Sequence, residues 1–321
     1  FPADGSARED ATEPTASPLD RWQFVLGMVD RETNASRLYV GNQQVASNGF
    51  SSFGSVSSNA DLLIGSWGGN TDYYKGNIAK AWAYNKKLSD IEINQLYYGA
   101  PIVTDGLVFA VDAGNLVSYE SGSTTTYSMT GSLSGSLVNG VGYSSNNGGT
   151  WDFDGTDDAI DISGYDFGTG EVSISSWIYK DTNAQSVAEA VISKSSSNKR
   201  EFHLRIEDSP QNGIYFWHSD TGEGAGYLFD TNVPITLNEW QHIVVTIDTT
   251  NVEFYLNGEN VKSYSGNYTL FHSDGDIRIG GWSEGGGYYF DGKIPNTYVY
   301  NRALTGAEVL QNYNAQKARF I

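Results

Sequence analysis

LNEWQHIVVTID, residues 237–248, is the stretch that decides the fold of this chain, and a related stretch, LDRWQFVLGMVD, occupies residues 19–30. The match continues downstream. DLLIGSW (61–67) recurs as DIRIGGW (276–282), and AYNKKLSDIE (83–92) recurs as VYNRALTGAE (299–308). The last hundred residues therefore repeat the first hundred. A repeat of domain size indicates an array of modules, which is more typical of binding and structural proteins than of single-site enzymes.

The repeated stretch has the alternation of a β-strand, because Ile243, Val245 and Ile247 are separated by single residues that point the other way. A second strand follows and ends at the dipeptide NG (257–258), which favours a tight hairpin turn. Each copy then closes with a short helix. Its start is marked by a capping box, in which a hydroxyl residue is followed three positions later by Glu: Ser89 and Glu92, then Thr305 and Glu308.

The order of these signals divides the chain into three parts. Residues 1–18 contain three prolines and almost no apolar side chains, so we expect an extended or disordered segment. Residues 19–100 form the C-terminal half of a domain, and residues 101–321 form a complete one. Further short strands are predicted at 107–112, 149–153, 159–162, 172–179, 190–194, 201–206, 213–218 and 227–230. Many short strands separated by Gly, Asn and Asp turns predict an all-β fold, an antiparallel β-sandwich.

Composition excludes several classes of function. The net charge is −19, and residues 101–321 carry 27 acidic against 11 basic side chains, which makes nucleic acid an unsuitable partner. The acidity serves solubility or cation binding. Cysteine is absent, so disulfides and thiol catalysis are excluded. No apolar run reaches the length of about 18 residues that a membrane span needs, so we predict no membrane insertion.

The five motifs of the second copy, from Trp240 to Glu308, resemble in their order the laminin G-like modules of the concanavalin A-like lectin/glucanase superfamily, which have a jelly-roll sandwich. GLVFAVDAGN (106–115), FDGTDD (153–158) and QNYNAQKARF (311–320) are similar to the version found in virion structural proteins of tailed bacteriophages. This resemblance implies a fibre, tail or capsid-surface component on the extracellular virion surface. Its partners would be other virion proteins, copies of itself and a host surface polysaccharide.

The first copy departs from the family because it has only the second half of a sandwich. Apolar strand residues such as Phe24, Leu26 and Met28 need a covering sheet, since exposed apolar surface costs about 25 cal/mol per Å². Either the polypeptide extends before Phe1 or a neighbouring chain supplies the missing sheet. We favour the longer polypeptide.

No catalytic pattern is evident. Glycosidases of this fold need two carboxylates on one strand face, about 5 Å apart in retaining enzymes, and the sequence has no such run. The four histidines lack metal-ligand spacing, and His242 belongs to the strand motif, where we expect a structural role. We therefore predict a non-enzymatic protein.

A calcium site is predicted in the FDGTDD turn. Asp154, Asp157 and Asp158 offer the hard oxygen ligands that Ca²⁺ prefers, and the resemblance implies a bound Ca²⁺ because related modules often hold one. The alternative is that these aspartates only shape the turn through bonds to its backbone.

Two segments between strands combine aromatic rings, carboxylates and glycines, as sugar-binding sites do. The candidate glycan-binding residues are Trp217, His218 and Asp220 in the first segment and Trp282, Glu284 and Tyr288 in the second. Trp282 has a counterpart in Trp67, which indicates a shared packing role or a shared site. The alternative function is a carbohydrate-binding accessory region of a larger secreted glycan-degrading enzyme, whose catalytic domain would lie before Phe1.

Overall fold

The computed structural model describes residues 21–49, 62–67, 72–167, 170–182, 188–196, 199–207, 212–222, 226–282 and 287–321. The chain divides into two compact units, unit 1 at Phe1–Tyr97 and unit 2 at Tyr98–Ile321. The segment 1–18, predicted to be extended, lies outside the described residues. Within the described residues, neither helix has the length and apolar character that a membrane crossing requires.

Unit 1 contains a three-stranded antiparallel sheet in the order β1 (Val25–Asp30), β2 (Ala35–Val40) and β3 (Gln43–Gly49). Two short strands, β4 (Ser66–Trp67) and β5 (Asp72–Tyr73), precede the helix α1 (Asp90–Tyr98). The helix and the sheet share a small core, which consists of Met28, Tyr39, Leu88 and Ile93, with Phe24 and Leu26 packed against it. The prediction that Phe24, Leu26 and Met28 need a further sheet is therefore wrong, because these side chains pack on the face that α1 covers.

Unit 2 is a sandwich of two sheets. Its strands are β6 (Leu107–Asp112), β7 (Thr125–Tyr127), β8 (Ser134–Val138), β9 (Gly142–Ser144), β10 (Thr150–Asp154), β11 (Ala159–Ile162), β12 (Val172–Lys180), β13 (Ala188–Ser196), β14 (Lys199–Glu207), β15 (Gly213–His218), β16 (Tyr227–Pro234), β17 (Trp240–Ile247), β18 (Asn251–Leu256), β19 (Glu259–Ser265), β20 (Asp276–Ile279) and β21 (Asp291–Tyr300). The first sheet has the order β19-β18-β17-β12-β21-β10-β9, with β6 also paired to β21. The second sheet has the order β16-β15-β14-β13-β20-β11-β8-β7.

The core of unit 2 lies between these sheets and follows from the period of two along each strand. Residues of β14 such as Leu204 and Ile206 join residues of β17 such as Val245 and Ile247 in one buried cluster. All sheet pairings between the described strands are antiparallel. The predicted fold class, an antiparallel β-sandwich with a short C-terminal helix, is confirmed.

The predicted local signals are confirmed as well. The NG turn has the positive φ angles that its sequence requires, 53° at Asn257 and 85° at Gly258. Both capping boxes form: the Ser89 and Thr305 N–H groups each donate to the Glu three residues on, at 2.9 and 2.8 Å.

The helix α2 (Gly306–Phe320) lies on the outer face of the first sheet. Beneath it, the fully buried ring of Trp177 stacks on Phe320 at 4.5 Å and on Tyr313 at 5.6 Å, measured between ring centroids. The indole N–H of Trp177 donates to the Gln316 side chain at 3.1 Å. The helix therefore both covers the ring of Trp177 and accepts its indole N–H.

The same helix binds the beginning of unit 2. The Val103 N–H donates to the Asn312 side chain at 2.8 Å, and the Gln311 amide donates to the Pro101 carbonyl at 3.0 Å. Nη1 of Arg319 lies 2.8 Å from both carboxylate oxygens of Asp112 on β6. The first strand and the last helix of the unit are therefore joined by direct contacts.

Candidate functional site

The outer face of the second sheet carries a row of side chains that runs across the strands. Strand pairing places Trp217 opposite His203, His203 opposite Ser193, Ser193 opposite Arg278, and Arg278 opposite Asp161. Because Phe202, Leu204 and Ile206 point into the core, the residues between them point outward. The alternation of β14 therefore puts His203 next to a predicted ligand-binding tryptophan.

Four rings of this face form what we call the aromatic cluster: Trp217, His203, Trp282 and Tyr288. Their centroids are separated by 5.1 Å from Trp217 to His203, by 6.0 Å from His203 to Trp282 and by 5.0 Å from Trp282 to Tyr288. Trp217, Trp282 and Tyr288 are partly exposed, whereas His203 is buried between the tryptophans. Three of the six predicted glycan-binding residues are thus brought together.

Three arginines border the aromatic cluster. The guanidinium of Arg200 lies 4.7 Å from the ring centre of Trp282, and Nη1 of Arg205 lies 3.2 Å from Nδ1 of His203. Arg278 donates to the Trp282 carbonyl at 3.2 Å and to both oxygens of Asp161 at 2.6 and 2.8 Å. Unit 2 is strongly acidic, so this concentration of arginines distinguishes the face from the rest of its surface.

His203 is held in its neutral form. Burial, followed by the positive charges of Arg205 and Arg200, lowers its pKa to about 3. Because a guanidinium can only donate, Nδ1 of His203 accepts from Arg205 and the ring proton resides on Nε2. The cluster therefore has an apolar, uncharged centre with hydrogen-bond donors at its border.

The prediction that His218 contacts the ligand is wrong. His218 is fully buried, and its ring stacks on Tyr227 at 5.3 Å and on Phe229 at 5.8 Å. Neighbouring residues of a strand point to opposite faces, so the exposure of Trp217 sends His218 into the sandwich. Asp220 is exposed in the turn after β15, and no contact among the described residues connects it with the aromatic cluster. Glu284 lies outside the described residues.

The acidic turn at Asp154, Asp157 and Asp158 connects β10 of the first sheet to β11 of the second. One carboxylate oxygen from each residue can be chosen so that all three lie within 4.8 Å of one another. Asp158 is only 4% exposed, and its Oδ1 has no hydrogen-bond partner. Burial raises the pKa of Asp158, whereas hydrogen bonds from the Thr156 amide lower the pKa of Asp154.

The structure of the turn is compatible with both predicted roles of its aspartates, the shaping of the turn and the binding of Ca²⁺. The amides of Thr156 and Asp157 donate to Asp154 Oδ1 at 2.8 and 3.4 Å, which is the turn-shaping role. The unpartnered oxygen of Asp158 and the exposed carboxylate of Asp157 remain as hard ligands, and these fit Ca²⁺.

A protein-family model matches the chain in two segments. The laminin G-like model described as the concanavalin A-like lectin/glucanases superfamily matches residues 1–94 and 154–310. The chain belongs to this superfamily. Its laminin G-like motifs occur in both units, as the internal repeat requires. No curated protein matches the chain in sequence.

Several solved structures of similar fold are binding domains of bacterial toxins. The binding domain of Paraclostridial mosquitocidal protein 1 is 18% identical, with a TM-score of 0.51 over 65% of this laminin G-like chain and 52% of that domain. The binding domain of botulinum neurotoxin DC, solved with rat synaptotagmin II, is 11% identical, with a TM-score of 0.52 over 66% and 52%.

A structure of botulinum neurotoxin type C, whose cell entry depends on interaction with two ganglioside molecules, is 13% identical, with a TM-score of 0.50 over 66% and 51%. The chain spans about half the length of these structures. At such low identity the likeness shows a shared concanavalin A-like fold.

Proposed function

We propose that unit 2 binds glycans at the aromatic cluster and that the chain is a non-enzymatic structural component of a virion surface. The observation that carries the binding proposal is a contrast within unit 2. The stacked rings on the outer face of the first sheet lie under α2. On the outer face of the second sheet, the rings of Trp217, Trp282 and Tyr288 are partly exposed.

The chemistry of the cluster suits a sugar. The flat faces of the tryptophan rings accept the C–H face of a pyranose, and the arginine N–H groups donate to its hydroxyl or carboxylate oxygens. The neutral ring of His203 fixes both tryptophans between which it lies. A platform held in this way loses little side-chain entropy when the ligand binds.

A binding role without catalysis is supported by the state of the nearby carboxylates. Asp161 is held by Arg278, and Glu207 forms an ion pair with Arg205. Each of these two carboxylates is therefore held in an ion pair with an arginine. A glycosidase needs instead two carboxyl groups that flank the glycosidic bond and are available to act on it.

The virion assignment is supported by the motifs at 106–115, 153–158 and 311–320, which resemble those of tailed-bacteriophage structural proteins. Its partners would be other virion proteins, further copies of the chain and a host surface polysaccharide. Sequencing the neighbouring genes tests this part. A catalytic domain directly upstream, in place of virion genes, would replace it with the accessory region of a glycan-degrading enzyme.

The binding proposal is tested with a panel of bacterial surface polysaccharides and the purified chain, by glycan array followed by calorimetry. We expect the affinity to fall about 5- to 150-fold in Trp217→Ala and in Trp282→Ala, since one stacked ring contributes about 1–3 kcal/mol. Tyr165→Ala is the matched control, because Tyr165 is an exposed aromatic residue outside the cluster. Equal binding by all four proteins, or none by any, would contradict the proposal.

A further inference from the structure

One segment of unit 1 exposes apolar residues whose counterparts in unit 2 are buried. Residues 75–84 correspond to 291–300, the strand β21, through the shared series Gly, Ile, aromatic and Tyr-Asn. In unit 1 this segment has no regular secondary structure and is exposed along its whole length. The exposed fractions are 48% for Ile78, 54% for Trp82 and 47% for Tyr84, against 0% for Ile294, 1% for Tyr298 and 0% for Tyr300.

Among the described residues, the three-stranded sheet of unit 1 has an open edge at β1. Its order β1-β2-β3 reproduces β17-β18-β19 of unit 2. In unit 2 the other edge of β17 pairs with β12 along eight residues, and β12 pairs on its far side with β21. No described strand occupies that place beside β1, and Val25 is 59% exposed where its counterpart Ile243 is fully buried.

A single added strand would therefore satisfy two incomplete elements at once. It would pair with β1 on one side and order residues 75–84 into a strand on the other, as β12 does in unit 2. Exposed apolar rings and an unpaired strand edge are costly features that folded proteins normally cover. The complementary strand is defined by β12, VSISSWIYK at 172–180, which is buried along nearly its whole length.

We propose that this place is filled by the front half of a laminin G-like module, carried by the same polypeptide N-terminal to unit 1. In unit 2 the strands that flank β21, namely β6, β10 and β12, all precede β17 in the sequence. A second copy of the chain is a poor source, because its own β12 is already paired on both edges. This inference does not depend on glycan binding.

The direct test compares amide hydrogen exchange in the 321-residue chain and in the polypeptide expressed from its complete native reading frame. We expect the amides of Val25–Asp30 and of residues 75–84 to exchange at least about a hundredfold more slowly in the longer protein, as for amides of a paired strand. Trp82 fluorescence should shift to shorter wavelength. A reading frame that adds no such segment, or unchanged exchange at both sites, would overturn the proposal.

A chimera tests the same point with residues of this chain alone. Residues 106–239, the front half of unit 2, are placed ahead of Trp22, so that the junction reproduces the one before Trp240. We expect protection of residues 75–84, and we expect Ser175→Pro in the added segment to abolish it, because proline removes a ladder donor. Slow exchange in the 321-residue chain that appears only in a dimer would instead identify a second copy as the occupant and refute the proposal.

Discussion

The two outer faces of unit 2 each carry a tryptophan packed against a histidine, in two different environments. On the first sheet, Trp177 and His242 lie 5.3 Å apart with an interplanar angle of 33°, fully buried beneath α2. On the second sheet, Trp217 and His203 lie 5.1 Å apart at 17°, and the tryptophan is partly exposed. We therefore expect a ring pair on a sheet face to serve packing where the chain covers it and recognition where it stays partly exposed.

The two stacks are completed by different parts of the chain. Rings of α2 complete the first face, so the stack on Trp177 forms only when the end of the chain has folded back. The second face completes its stack with Trp282 and Tyr288, which come from the segment after β20. The first stack therefore contributes to stability, whereas we expect the second to contribute to ligand binding.

Replacing the two tryptophans is the strongest test of this contrast. We expect Trp177→Ala to lower the free energy of unfolding of unit 2 by about 3–5 kcal/mol, because it leaves a cavity under α2 and removes the hydrogen bond to Gln316 Oε1. Trp217→Ala should cost about 1 kcal/mol, since its ring is already partly hydrated. Urea unfolding measures both. Similar losses in the two variants would show that the second face is also a packing surface.

The histidines sharpen the comparison through pH. Burial lowers the pKa of both His242 and His203 to about 3, so below pH 6.5 the unfolded chain binds protons that the folded chain excludes. Stability should fall as pH decreases from 6.5 towards 3, by about 1.4 kcal/mol per pH unit for each histidine. Between pH 7 and pH 5, the free energy of unfolding should fall less steeply with decreasing pH in His242→Gln and in His203→Gln than in the unsubstituted protein.

The pH dependence of glycan affinity is the corresponding control. Because His203 remains neutral, we expect affinity to stay constant from pH 8 to pH 5. A loss of binding centred near pH 6.5 would mean that the imidazole titrates normally and that the second face is more hydrated than its burial indicates.

Bound Ca²⁺ should stabilise the two sheets equally, because the acidic turn connects a strand of one sheet to a strand of the other. At a hundredfold excess over its dissociation constant, Ca²⁺ would raise the free energy of unfolding by about 2.7 kcal/mol. Thermal unfolding with Ca²⁺ and with chelator measures this gain, and Asp157→Asn should remove it. The difference between Trp177→Ala and Trp217→Ala should not change. A midpoint insensitive to Ca²⁺ would leave the aspartates with their turn-shaping role.

The smallest expected effect concerns α2, the helix that covers the outer face of the first sheet. Thr305→Ala removes the capping hydroxyl of α2 and should cost about 1 kcal/mol. Fluorescence of Trp177 should report the loosened helix, while glycan binding on the opposite face stays the same. Thr305→Ser, which keeps the hydroxyl, is the matched control. A parallel loss of binding would mean that the two faces are coupled.

The fold was accessible from the sequence because its signals are local. Alternation gave the strands, NG gave the hairpin turn, and Thr305 with Glu308 gave the start of α2. The candidate site was only partly accessible. Trp217, Trp282 and Tyr288 were found as aromatic residues near glycines, but His203 lies fourteen residues before Trp217, and only the pairing of β14 with β15 brings the two together.

His218 shows the physical reason for the remaining error. A composition-based search groups neighbouring residues, whereas a strand separates them onto opposite faces. Extending the alternation from Ile214 and Phe216 to His218 would have placed the histidine in the core. The register between β13 and β14 and between β15 and β16 is also shifted by irregularities, which a single sequence does not reveal.

The contacts of Arg319 with Asp112 and of Asn312 with Val103 hold the last helix of unit 2 against the segment that opens the unit. A domain whose terminal segments lie close together tolerates insertion into a surface loop of a host protein. The same geometry allows circular permutation, with new termini in an exposed hairpin. Unit 2 is therefore suited to be transplanted as a self-contained cassette between unrelated scaffolds.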